Sequence, residues 1–561
     1  MAQKSFDEIN EEMFEEFLLL NPDVATNYGL HDPYDRFLPQ GGFKRFEDTK
    51  ELLRLWNEKA VEAALHESLS RDQQLCIRYL ERLFQTYSFI VDDYPKWKMY
   101  PDALVPISMT LFRMFSSEYA PFEERFSAAS ERIGQMPKYL AEFRTRFTDD
   151  SVVRMWVKDA IGVVEQFTAL LRSIAEFSKG RVPENMLRKL DENTSLTESA
   201  LRVHLDWLNS LLEMPDRSFA MGRDLFSKLL SIRGFSLSSD EIVRLGQGYL
   251  AELKAERKEI VAKLSPSGDL DDAVSCARLK SPRTFEEALE FCRSEIEAAR
   301  EFLVQNGILT IDADARLETV ETPGFLKAVV PFAACEPPSR FHGVPRGEML
   351  LTPPANAEDL MERLNYAGLL NTLFHEAYPG HFHQFAQANQ KHWIFQLGPM
   401  MAGADMFGIC IPLGYECIEG WALYCERMML DRGFRASDEL QLETSTWAIL
   451  RACRVVGDVK LAIGEASIDE MVAWVTNETH MPKEDIEADV RCYTRSPSYF
   501  MSQMTGLHLI LGLKKELETK LGSRFSERRF HDLIASYGCL PFDMMSGVVK
   551  SEMMGRNAAS H

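Results

Sequence analysis

The chain lacks the marks of several protein classes. None of its ten cysteines stands in a C-x-x-C pair, so neither a zinc ribbon nor a dithiol redox centre is written into it. The closest cluster is Cys410, Cys417 and Cys425. So sparse a set in 561 residues makes no disulfide framework, and reduced thiols in a cytoplasmic protein are expected. No stretch reaches the run of about 18 apolar residues that a membrane-spanning helix needs. Met1 to Leu20 carries acids throughout, with Phe17–Leu20 as its only apolar run. It reads as neither a signal peptide nor a span, so a soluble protein with no membrane partner is expected. Basic charge is in deficit: 63 Lys and Arg stand against 85 Asp and Glu, for a net charge of −22. That is the wrong sign for a nucleic-acid partner. No repeat of fixed period and no low-complexity tract interrupts the chain.

What is present is helical periodicity. Phe6 to Leu20, Thr49 to Ala64 and Arg71 to Tyr87 read as amphipathic helices. Ser238-Ser239-Asp240-Glu241 supplies a cap and first-turn acids for a helix through Leu264, and Thr284-Phe285-Glu286-Glu287 announces another through Phe302. The texture changes near Ile308. Leu317 to Thr322 alternates and is β-branched, Val329-Val330-Pro331 and Gly347 to Thr352 read as further short strands, and proline pairs punctuate them. From Ala357 the chain is helical again. The reading is a mainly α protein with a small sheet beside a metal-binding cleft. It divides into an N-terminal helical lobe, 1–310, and a metal-bearing lobe, 311–561.

The chemistry concentrates in His375-Glu376-Ala377-Tyr378-Pro379-Gly380-His381. Zinc accepts imidazole nitrogen and carboxylate oxygen, and a catalytic site takes three protein ligands and leaves one position open. H-E-x-x-H motifs supply two of the three because residues four apart share a helix face. Here the histidines are six apart. On an unbroken helix they would diverge by about 120°, which defeats chelation. Pro379 cannot donate its N–H and clashes with the carbonyl four residues back, and Gly380 accepts unusual dihedrals. The helix is therefore expected to break at Pro379-Gly380 and bring His381 back over His375. Glu376, directly after the first histidine, is placed as general base. His383 is a rival ligand expected to face elsewhere.

The third ligand must come from another segment. Ile418, Ala422, Cys425 and Met429 form an apolar stripe, so Cys417 to Asp431 reads as a helix. Glu419 is the first choice on it, with Glu416 and Glu426 as rivals and Glu426 better suited to support a ligand from behind. Gly420 would permit close approach by a neighbouring helix. One zinc ion is the expected cofactor, although manganese or iron suits the same two-histidine, one-carboxylate set.

These segments resemble the bacterial domain-of-unknown-function 885 family. The resemblance runs through His375 to Gln384, Glu419 to Glu426, Arg454 to Asp458 and Arg491 to Gly506, with Asn21 to Asp32 similar to the family's start. The family is itself similar to zinc metallopeptidases of the gluzincin type. By position the resemblance implies His375, His381 and Glu419 as zinc ligands, Glu376 as the activator of water, and a zincin-like active-site cleft. It implies peptidase chemistry but supplies no substrate; a peptide or small amide is the expected partner. The chain departs from the family at Cys492, where an arginine is common, and at Gln503, where a tyrosine is common. If that tyrosine steadies an oxyanion, Tyr493, Tyr499 or His480 must substitute, and Arg491 is placed to hold a substrate carboxylate. Asp458 is assigned a supporting role, with Arg454 and Asp458, four apart, as a helix ion pair. Arg491 has Asp458 or Asp489 as alternative partners. The strand Gly347 to Thr352 is expected to offer an edge to an extended peptide. A zinc amidase and a non-catalytic metal-binding protein are the alternative functions.

Overall fold

The computed structural model describes residues 4–116, 118–322, 332–341, 346–354, 364–404, 411 and 413–555. The chain is mainly helical with one three-stranded sheet among these residues. It divides into two compact units. The first comprises Met1–Phe219, Pro323–Ala328 and Leu397–Ile411, and the second comprises Ala220–Thr322, Val329–Gln396 and Pro412–His561. The expected boundary at 310 therefore moves back to Phe219. Periodicity reveals that a helix has an apolar face but not which core that face joins. The helix Ser239–Leu264 packs along Asp438–Ile463. There a Cβ added to Gly246 would lie 3.0 Å from Val455.

The first unit is built from helices around aromatic and aliphatic cores. Phe6–Leu20 starts on a Ser5 cap, and Lys44–Ala64 starts five residues before the expected Thr49. No side chain caps that second start, so the sequence carried no signal for it. Trp56 is fully buried and donates its indole N–H to Asn10 Oδ1 at 2.6 Å. A second core gathers Phe126, Ile133, Leu140, Phe143, Phe167 and Leu201.

The second unit carries the sheet. β1 (Arg316–Glu321) and β3 (Arg346–Leu351) match two expected strands, and β2 (Ala333–Glu336) follows Val329-Val330-Pro331, which lies outside the described residues. The order is β1-β3-β2, with β3 parallel to β1 and antiparallel to β2. Thus β3 is the central strand and both its edges are paired, so it cannot receive a peptide by backbone pairing as expected. Its Met349, Leu350 and Leu351 are buried. A Cβ on Gly347 would stand 2.8 Å from the Phe382 ring, which seats the sheet directly against the helix His381–Ala388.

Four further helices complete the frame: Tyr366–Glu376, Tyr415–Asp431, Lys483–Arg495 and Ser502–Leu521. The second and fourth cross with backbones in contact. A Cβ on Gly420 would fall 2.4 Å from the Gly506 carbonyl carbon, and one on Gly506 would fall 1.9 Å from the Glu416 oxygen. The expected close approach at Gly420 is thus present, and its partner is a second glycine. No described helix is long and apolar enough to cross a membrane. The nine described cysteines are free thiols, and Cys410 lies outside the described residues.

Candidate metal centre

The helix carrying His375 ends at Glu376, and a new one begins at His381. Between them the Tyr378–Pro379 peptide is cis, and the chain doubles back so tightly that a Cβ on Gly380 would sit 1.8 Å from the His375 oxygen. The imidazoles meet edge to face, with centroids 4.7 Å apart and planes at 88°. The join is clamped from the neighbouring helix, where the buried Trp421 indole donates to the Pro379 oxygen at 2.9 Å. Sequence reasoning passed over Trp421, although its place two residues after Glu419 was the available signal.

Ligand atoms of His375, His381 and Glu419 all lie within 4.8 Å of one another. Among the described residues this is the only such group of three histidine, cysteine or acidic side chains. His375 Nδ1 is 2.6 Å from Glu426 Oε1. Arg451 Nη2 is 3.3 Å from the same nitrogen and 3.0 Å from the same carboxylate oxygen. An ionised carboxylate only accepts, so at 2.6 Å Nδ1 carries a proton and gives it to Glu426, which also takes the Arg451 guanidinium. Nε2, the ring's other nitrogen, stands 3.8 Å from Glu419 Oε2. His381 Nδ1 is buried and has no hydrogen-bond partner among the described residues.

The protonation states suit a cation. Burial, reinforced by His375, lowers the His381 pKa and keeps the ring neutral. Burial acts to raise Glu419, but His381, His375 and donors from Gln503 and Tyr499 outweigh it and hold the carboxyl below its ordinary range. A neutral His381 imidazole and an ionised Glu419 carboxylate are ligand forms a divalent metal requires. With the orphaned His381 nitrogen and a His375 tautomer fixed by Glu426, the residues fit a zinc-type ion.

The remaining site residues separate clearly. Glu376 is half-buried and makes no hydrogen bond or ion pair among the described residues. Burial, with Glu419 adding to it against His381, raises its pKa. Glu426 stands behind His375. Glu416 does not face the trio, because Arg233 holds it at 2.7 Å in a pair almost wholly removed from solvent. His383 is buried outside the ligand group, its ring 6.2 Å from Tyr378, and burial pushes its pKa down to about 3. Tyr499 donates to Glu419 Oε1 at 3.1 Å and Gln503 Nε2 donates to Oε2 at 3.1 Å.

Other expectations shift. Tyr493 is buried with its hydroxyl on Asp489, so it serves that carboxylate rather than the trio. Arg454 pairs with Asp489 at 2.7 Å, not with Asp458. Asp458 accepts backbone N–H bonds from Ser498 and Met501, both 2.9 Å, and so fixes the loop that presents Tyr499. Burial raises its pKa to about 7, with those N–H groups opposing. Arg491 lies 3.9 Å from Glu487 on its own helix. His480 is exposed at the end of Ile468–Thr479.

The fold and the three-ligand corner define a mainly helical protein with a candidate two-histidine, one-carboxylate centre. Residues 22–549 match the family described as bacterial protein of unknown function, DUF885, and the chain belongs to it. No curated protein matches the chain. Two solved structures share the fold. One is a candidate lipoprotein of unknown function from Shewanella oneidensis, 18% identical, TM-score 0.76, covering 98% of this chain and 100% of its own. The other is a candidate lipoprotein from Colwellia psychrerythraea, 15% identical, TM-score 0.77, covering 98% of this chain and 99% of its own.

Proposed function

We propose that the chain is a zinc-dependent hydrolase, a metallopeptidase of gluzincin type whose zincin-like cleft opens at the His375–His381 corner and takes a peptide. The observation that carries this reading is Glu376: a half-buried carboxylate with no hydrogen-bond or ion-pair partner among the described residues, next in sequence to one ligand and under the charges of the other two. A structural metal site has no use for such a group. A bound zinc ion would acidify water and polarise a carbonyl. The protein's own groups supply the rest. Glu376 accepts a proton from the attacking water and returns it to the leaving nitrogen. Tyr499, half-buried with its hydroxyl on Glu419, is the tyrosine beside the trio, and it would exchange that bond for one to the developing negative charge. Tyr493 is not, because its hydroxyl lies on Asp489, which is outside the ligand trio.

The test compares zinc-loaded wild type with Glu376→Gln on a panel of peptides and small amides. Wild type should cleave peptides, and the variant should lose about 10²–10⁴-fold in turnover while keeping its zinc. Equal turnover would remove Glu376 as base. Cleavage confined to the amides would make the protein an amidase, and zinc binding without cleavage of any substrate would favour a non-catalytic centre.

A further inference from the structure

We propose that Gln503 is a positioning residue, which aims the Glu419 carboxylate before any metal arrives and is itself aimed by Arg454. This rests on reading His375, His381 and Glu419 as a metal centre. The amide orientation follows from chemistry rather than from the placement of its nitrogen and oxygen, which resemble each other. Arg454 Nη1 lies 3.0 Å from one end of the amide. A guanidinium has no acceptor, so that end is the oxygen. The NH2 must then face Glu419, where it stands 3.1 Å from Oε2.

Arg454 cannot easily turn to release the amide. Its Nη2 and Nε reach the two oxygens of Asp489 at 2.7 and 3.2 Å, a two-point fork. Tyr493, buried, adds its hydroxyl to the same carboxylate. The line Tyr493–Asp489–Arg454–Gln503–Glu419 thus joins four helices: Lys483–Arg495, Asp438–Ile463, Ser502–Leu521 and Tyr415–Asp431. Arg454 donates to both of its neighbours, Asp489 and Gln503, and the Gln503 amide donates on to a ligand oxygen. Tyr499 holds the other oxygen. Glu419 is thereby fixed at both oxygens, as His375 is fixed by Glu426, and ligands held in place bind a metal with less ordering cost.

The experiment titrates zinc into metal-free wild type, Gln503→Leu and Arg454→Met, then records the visible spectrum of each with cobalt in place of zinc. Circular dichroism and melting of the metal-free proteins establish that the fold is kept. Gln503→Leu should bind zinc about 10–100-fold more weakly and shift the cobalt bands. Arg454→Met, which frees the amide to rotate, should move both readouts the same way by less. Should Gln503→Leu fail to fold, Gln503→Asn keeps the amide but is one methylene too short to span both partners, and the same outcomes apply. Wild-type affinity and an unchanged cobalt spectrum in the Gln503 variant would overturn the proposal while leaving the metal centre standing. Failure of wild type itself to bind zinc or cobalt would overturn the metal centre and this proposal together.

Discussion

Glu416 and Glu426 lie on one helix, both buried, each beside an arginine, yet the two surroundings are built differently. At Glu416 the acceptor positions are filled from within: Arg233 takes one oxygen at 2.7 Å and the Phe542 N–H takes the other at 2.9 Å. Arg233 also donates to Ser502 Oγ and to the Ser498 oxygen. At Glu426 the arginine sits farther off, 3.0 and 3.3 Å, and the shortest contact goes to His375. One pair is closed on itself. The other passes its charge outward through an imidazole whose second nitrogen faces Glu419. Burying two charges costs several kcal/mol per ion before attraction offsets it, so proximity of Arg to Glu says little about purpose. What distinguishes a structural pair from a site-building one is where the remaining lone pairs point.

The contrast can be broken at its closed end first. Arg233→Met leaves Glu416 buried without its counter-charge, and chemical denaturation should show a loss of about 3–5 kcal/mol. Zinc affinity of the folded fraction should stay near wild type. A large loss of affinity with little loss of stability would erase the distinction drawn between the two pairs. At the open end, Glu426→Gln keeps the shape but weakens the hold on the His375 proton. Zinc affinity should fall about 10–100-fold, by equilibrium competition with a chelator, with a smaller change in stability than Arg233→Met causes.

At neutral pH the smallest effect comes from a buried imidazole, His204 in the first unit. Burial, with Arg144 nearby, pushes its pKa from 6.5 down to about 3. The folded protein keeps this ring neutral while the unfolded chain protonates it. Its stability contribution is therefore complete above pH 6.5 and is lost as pH falls from there toward 3. His204→Phe should flatten the stability–pH curve over that window by up to about 1.4 kcal/mol per pH unit. Parallel curves for variant and wild type would contradict this.

Local chemistry was legible in the sequence, and long-range partnership was not. Ser238 forms the expected cap with Glu241 returning the bond, and Thr284 caps Phe285–Gln305. The break at Pro379-Gly380 and the helix through Glu419 lie where proline chemistry and the apolar stripe put them. Arg454 shows the limit. Asp458, four residues on, was the natural partner by helical geometry, but backbone N–H groups of the Ser498–Met501 loop already occupy it. Asp489, from another helix, takes the arginine instead. Arg451 escaped notice, and Gln503 was marked only as a departure from the family, for the same reason: their roles exist only where helices distant in sequence meet. The central place of β3 was hidden because strand texture carries no information about pairing order.

The turn at Ala377–Gly380 has a consequence for how this motif tolerates change. In H-E-x-x-H the two histidines are rungs of a single ladder. Here they are the facing ends of two separate beams mitred at a corner. Length added at Tyr366 or trimmed at Ala388, the far ends, leaves the mitre untouched. A residue gained or lost within the four-residue corner rotates one beam against the other and parts the imidazoles. Spacing between the histidines is therefore a property of the joint, and a pattern built on helical periodicity alone would read past it.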